Sequence, residues 1–215
     1  MKSLTQFITE KLVLKSNSKI RKQREYNYHP KTREELKNLI SRLILDAAGH
    51  NILNKDHYKI NLNDIDVSAI TNMSGLFMNS SFEGDISEWD VSNVTDMSHM
   101  FSFSKFNGDI SNWNVSGVKH MGYMFTKSKF TGKNGDLSEW DVSNVKNMHG
   151  MFQESEFNGD ISKWDVGKVT DMGCMFKKSK FTGDISKWNV SNVTRIENAF
   201  RQCPIIKKFR PKFKK

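Results

Sequence analysis

A tryptophan returns at the same place in a repeating unit five times. The residues are Trp89, Trp113, Trp140, Trp164 and Trp188, at intervals of 24, 27, 24 and 24 residues. A fixed period of roughly 20–50 residues marks a stack of like units, each too small to bury its own apolar face. Full copies begin at Phe82, Phe106, Phe130, Phe157 and Phe181. A degenerate copy precedes them from about Asn61 to Ser81, with Ile65 in the tryptophan slot. The third full copy carries three extra residues, Lys133-Asn134-Gly135, beside its Gly-Asp corner, which reads as a loop.

Within each unit the apolar period changes. Trp89-Asp90-Val91 alternates in, out, in, which is strand spacing. Met97, Met100 and Phe101 follow at helical spacing, with Thr95 or Asp96 placed to cap a short helix. Gly84-Asp85 turns the chain back. The expected coil is therefore a short strand, a corner, about two helical turns and a return loop. Six such coils predict an α/β repeat solenoid over residues 61–204, with a parallel sheet on one wall and short helices on the other. The in-phase methionines Met97, Met121, Met148 and Met172 are expected in its core.

The string Phe-Asn-Gly-Asp-Ile-Ser-Lys-Trp-Asp-Val at 157–166, together with Asn93-Val-Thr-Asp-Met-Ser-His-Met-Phe101, resembles the repeat of the BspA-type leucine-rich-repeat family. Those repeats are related to ones in mycoplasma surface lipoproteins and also occur in small bacteriophage proteins. The resemblance covers roughly residues 61–204 and implies a leucine-rich-repeat-like solenoid with a binding or adhesion role and no enzymatic activity. It departs from an ordinary leucine-rich repeat at Val94, Val118 and Val145, which stand where a ladder asparagine would be.

Residues 1–60 show no repeat and read as a basic, helical cap or docking segment. Leu4, Phe7, Ile8 and Leu12 predict one short amphipathic helix; Lys15–Asn27 reads as a linker. After Pro30, Thr32-Arg-Glu-Glu35 is a capping-box pattern; Leu36, Leu39, Ile40, Leu43 and Ile44 follow at helical spacing, and Gly49 ends the helix. That apolar stripe is the natural lid for the exposed end of a first coil. Glu10 and Lys11 interrupt the N-terminal apolar stretch, so no signal peptide is expected, and no apolar run is long enough to span a membrane. The expected location is cytoplasmic or virion-associated. Cys174 and Cys203 occupy different phases of the repeat and are expected as free thiols.

The net charge of +9 is unevenly spread: residues 1–60 carry +7, residues 61–204 carry −4, and residues 205–215 carry +6. An acidic stack is flanked by basic ends. The outward strand positions are the candidate binding face for a protein partner. They are Asp66, Asp90, Asn114, Asp141, Asp165 and Asn189 in one row, with Glu88, Asn112, Glu139, Lys163 and Lys187 beside it. Carboxylates stacked at ~4.8 Å repel by about 0.9 kcal/mol in water, so such a face suits a basic partner or a cation, or is only a solvated wall. A second column, Asp85, Asp109, Asp136, Asp160 and Asp184, reads as turn chemistry. Candidate basic contacts are Arg21, Lys22 and Arg24 before the stack and Lys207, Lys208 and Arg210 after it. The tail from Lys207 reads either as a flexible solubilising end or, with Phe209 and Phe213, as a basic-aromatic segment for nucleic acid or an anionic membrane surface.

His99, His120 and His149 fall at three phases of the repeat, so no zinc site is expected. No catalytic set is apparent, and no cofactor or metal is expected. The function expected is a non-enzymatic protein–protein scaffold, in a phage accessory or structural setting by resemblance. The alternatives are host-surface adhesion and, ranked last, nucleic-acid binding through the basic termini.

Overall fold

The computed structural model describes residues 25–49 and 59–213. The helix expected over Leu4–Leu12 and the basic residues Arg21, Lys22 and Arg24 lie outside that range. The chain builds a stack of six coils, each laid on the one before, along a column of single-residue parallel bridges. Asn72 pairs with Asp96, Asp96 with His120, His120 with Asn147, Asn147 with Asp171, and Asp171 with Arg195.

The α/β architecture expected from the sequence is not what forms. Among the described residues there is no β-strand and no sheet, and the coils contain no α-helix. The tryptophan and valine side chains point inward and Asp90 outward, as their alternation requires, but the backbone there is bent. The Trp89 amide donates to Ile86 and the Val94 amide to Val91, closing a tight turn on each side. Three residues between two turns are too few for a strand.

The wall expected to be helical is also a run of turns. His99 and Phe103 have φ of 58° and 57°, and equivalent residues in the other coils repeat this left-handed conformation. A left-handed residue every fourth position stops an α-helix. It also redirects the amides. Met97, His99, Phe101 and Phe103 donate not to their own chain four residues back but to carbonyls of the next coil, at His120, Gly122, Met124 and Thr126. Met97, Met100 and Phe101 are nevertheless fully buried, because successive turns carry their side chains to the same interior.

Side-chain oxygens fix the corners. Asp85, Asp90 and Asp96 each accept a bond from the amide two residues on, at 2.9, 3.1 and 2.8 Å. Asp96 is therefore a turn residue and not the helix cap expected of it. The Ser104 hydroxyl makes the same kind of turn onto the Phe106 amide at 3.1 Å. The Asp85 column is turn chemistry throughout: Asp109, Asp136, Asp160 and Asp184 each accept from the amide two residues on at 2.9 Å.

The interior is a set of like-on-like ladders. Trp89 stacks on Trp113 with ring centres 6.4 Å apart, and Phe125 on Phe152 at 5.7 Å. Each indole N–H also donates to the previous coil, Trp113 to Ile86 and Trp164 to Leu137 at 3.1 and 2.8 Å. The inserted Lys133 and Asn134 are exposed, and the Asn134 amide bonds back to the Asn107 carbonyl at 2.9 Å.

The two ends differ. Before the first coil, helix α1 spans Arg33–Ala48, capped by the Thr32 hydroxyl at 3.2 Å from the Glu35 amide and ended by Gly49 at φ 56°. Its Leu36 and Ile40 join the same buried cluster as Leu62 and Phe77, and Arg33 Nε donates to the Ser74 carbonyl at 2.7 Å. After the last coil, Ile205 is buried and Phe209 and Phe213 pack against the core. The Ile185 amide donates to the Phe209 carbonyl at 2.9 Å. The described part of the tail, to Phe213, is thus folded onto the stack and is not a flexible end.

Candidate functional site

The row expected to face outward does so, and each of its members is also a turn residue. Asp66, Asp90, Asn114, Asp141, Asp165 and Asn189 accept from the amides of Ser68, Ser92, Ser116, Ser143, Gly167 and Ser191 at 2.9–3.2 Å. Aspartate and asparagine alternate there because either carbonyl-type oxygen makes the turn. Fold explains the residue type, and charge is what remains free to vary.

Geometry divides this face into two halves. At the near end the segment Asn27–Tyr28 lies beside the first coil, with the Asn27 amide on the Asp64 carbonyl at 3.0 Å and Tyr28 bridged to Ile65. Between this segment and the next two coils opens a groove of about 580 Å³. Tyr26, Glu88, Asp90, Asn112 and Asn114 line it, so four members of the expected face are brought together around one concavity. Farther along, Glu139 Oε1 and Lys163 Nζ pair at 3.1 Å, both exposed, and the two charges offset each other. The pairing raises the Lys163 ammonium above its ordinary pKa. Lys187 and Asn189 are exposed at the far end.

Turn bonds hold several carboxylates in the ionised form. Burial pushes the Asp66 carboxyl up, but the Ser68 hydroxyl and amide and His29, at 3.2 Å, outweigh it and leave it below the usual range. Hydrogen bonds from Ser143 lower Asp141, and those from Ser162 and Ser186 lower Asp160 and Asp184.

Of the basic contacts expected in the tail, Lys207 and Lys208 are exposed in a short 3-10 turn, Lys207–Phe209. Arg210 is committed elsewhere. Its guanidinium lies 5.2 Å from the Phe200 ring centre and donates to the Ile205 carbonyl at 2.9 Å.

The turn wall gathers side chains that a phase-by-phase reading keeps apart. The His99 ring stacks on Tyr123 at 4.8 Å, and Tyr123 meets His149 at 5.1 Å. His149 Nδ1 lies 3.0 Å from Asp171 Oδ1, and Arg195 reaches the other oxygen at 3.5 Å. Burial, then Cys174 and Asp171, raise the Tyr123 phenol above its ordinary value. Gly150 makes this contact possible, since a Cβ there would lie 2.6 Å from the Tyr123 ring. The signal was in the sequence: a glycine where the neighbouring coils hold Tyr123 and Cys174, with a histidine immediately before it. Among the described residues no group of three or more His, Cys, Asp or Glu is placed to hold a metal ion.

The repeat matches the family described as "Mycoplasma protein of unknown function, DUF285", over residues 50–154 and again over 128–212. The chain belongs to this family. The two DUF285 matches overlap and together take in all five full copies and the degenerate one, so the family pattern and the stack of coils are the same object. No curated protein and no solved structure matches the chain. Among the described residues no helix is long and apolar enough to cross a membrane.

Proposed function

We propose that the stack is a non-enzymatic binding scaffold whose near half takes a cationic segment of a partner protein. The observation that carries this reading is the groove beside Tyr26, lined by Glu88, Asp90, Asn112 and Asn114. It is concave and polar, and the Glu88 and Asp90 carboxylates lie in its lining. The chain as a whole carries +9, which repels a cationic peptide at long range, so any such binding has to come from local charge. The resemblance of the repeat to the BspA-type family supports a binding or adhesion role in the same direction, and a phage accessory setting rests on that resemblance alone.

The test separates charge from fold. Asp90→Asn keeps the turn, since Asn114 and Asn189 make the same bond to the amide two residues on. The full chain, its Asp90→Asn/Glu88→Gln variant and a Lys163→Gln control are titrated with a fluorescent Lys-Gly-Lys-Gly-Lys-Gly-Lys peptide at low salt. The reading expects the double variant to bind about tenfold more weakly and the control to bind unchanged or better. Equal binding by all three sinks it.

A further inference from the structure

The last coil ends in an unsatisfied row of backbone donors. Every earlier coil sends four amides of its turn wall to the next one, such as Met172, Cys174, Phe176 and Lys178 to the carbonyls of Arg195, Glu197, Ala199 and Arg201. In the last coil the equivalent amides are those of Ile196, Asn198, Phe200 and Gln202. None of them has a hydrogen-bond partner among the described residues, while the turns between them are intact, with Ala199 on Ile196, Arg201 on Asn198 and Cys203 on Phe200. Asn198 and Gln202 keep the left-handed φ of 57° that aims such amides along the stack. The edge therefore holds the conformation of a paired coil with nothing paired to its four amides among the described residues.

The tail packs on the Phe200 ring through Arg210 and Phe213, but its backbone takes none of the four amides and bonds instead at Ile185, whose amide donates to the Phe209 carbonyl. What remains is a groove of about 330 Å³ lined by Ile196, Asn198, Phe200, Arg201, Arg210 and Phe213. Ile196, in its lining, is 41% exposed. An exposed row of unpaired N–H groups beside apolar side chains is a template for another chain.

We propose that this edge docks an acidic, extended segment of another protein, whose carbonyls take the four amides. Two features select acidic chains. The four amides are the equivalents of those that reach the next coil in every earlier copy, and such a row of positive dipole ends favours anionic groups. Arg201 is exposed along the edge, with Lys207, Lys208 and Lys212 in the adjoining tail, while Arg195 is shared with Asp171 at 3.5 Å and Glu197 is an exposed carboxylate of the same coil. A second copy of this chain fits less well. Its own acceptor edge, at the first coil, has the Ser74 carbonyl taken by Arg33, and Leu36 and Ile40 of α1 seal the core there. This site is separate from the groove beside Tyr26, and either can fail without the other.

Ile196→Pro deletes one outward N–H and no internal bond, the one use of proline an edge tolerates. The full chain, Ile196→Pro, Arg201→Glu and a mid-stack control, Lys146→Glu, are titrated by fluorescence anisotropy. The probe is a labelled Glu-Val-Glu-Val-Glu-Val-Glu peptide, with its lysine counterpart alongside. The expected result is saturable binding of the acidic peptide alone, about three- to tenfold weaker for Ile196→Pro, weaker for Arg201→Glu and unchanged for Lys146→Glu. No binding by the parent chain overturns the proposal, as does binding unaffected by Ile196→Pro in a folded variant. Equal losses for Arg201→Glu and Lys146→Glu overturn it too, since binding then follows net charge. If Ile196→Pro melts early, Arg201→Glu against Lys146→Glu decides. Sedimentation of the chain alone covers the remaining occupant: self-association lost in Ile196→Pro assigns the edge to a second copy and overturns the acidic partner.

Discussion

Each tryptophan fills its coil and also ties that coil to the one before. Trp140 is 4% exposed, and its indole N–H donates to the Ile110 carbonyl at 3.1 Å. Two substitutions separate these roles. Trp140→Ala removes the ring and the bond and is expected to cost about 3–5 kcal/mol, the range for deleting a buried aromatic. Trp140→Phe keeps most of the buried surface and removes the indole bond, while the Ile110 carbonyl keeps the Trp113 amide at 3.2 Å, so the expected cost is the smaller one of about 0.5–1.5 kcal/mol. Urea melts of both measure the difference. A loss below about 1 kcal/mol for the alanine variant would mean that the column contributes little to the interior. The same economy governs the outward row. Asp90 and Asn114 differ in charge yet make the same turn bond, so the fold restricts that position to two residue types and leaves its charge open to selection for binding.

At the scale of the element, the turn wall trades backbone strain for bonds between coils. Left-handed residues such as Tyr123, Lys127 and Glu154, with φ of 51–57°, cost of order 1–2 kcal/mol each outside glycine. In return four amides per coil find carbonyls in the next. Gly150 is the position where this conformation and a close contact coincide, with φ at 59° and the Tyr123 ring where a Cβ would go. Gly150→Ala is expected to lower stability by about 2–3 kcal/mol in thermal or urea melts. In a Tyr123→Ala background the clash disappears and only the left-handed cost of about 1 kcal/mol should remain. The conformation explains which parts of the fold were legible in advance. Burial follows side-chain phase, so the inward placement of Trp89, Val91, Met97, Met100 and Phe101 could be read directly, as could α1 with its Thr32 cap and Gly49 stop. The backbone between them could not. Residues three and four apart share a face in a helix and also in consecutive tight turns, and only the φ sign at His99 and Phe103 tells the two apart. Neither residue type announces a positive φ. The groove was half legible: the row holding Glu88, Asp90, Asn112 and Asn114 followed from the repeat, but its closure by Tyr26 depends on where a non-repeating segment packs.

For the whole molecule, charge and turns are coupled, and pH exposes the coupling. Three aspartate or asparagine turns recur in most coils, and the carboxylates among them accept backbone and hydroxyl bonds that favour the ionised form. Asp66, Asp141, Asp160 and Asp184 lie below the unfolded value of 3.8. A carboxyl depressed in the folded state binds protons more readily when unfolded. Its contribution is fully present above the unfolded value and is lost as pH falls through the lower folded one. The urea midpoint should therefore change little on this account between neutrality and about pH 5, then begin to fall below about pH 4. Because the four turns sit in different coils, the loss should be spread along the stack and not confined to one end. Replacing all four by asparagine keeps each turn and removes the titrating group. That variant should show a clearly flatter acid limb while melting near the parent at neutral pH. An acid limb as steep as the parent's would assign acid lability to groups other than the turn carboxylates, and would leave the turns as geometry without a charge component.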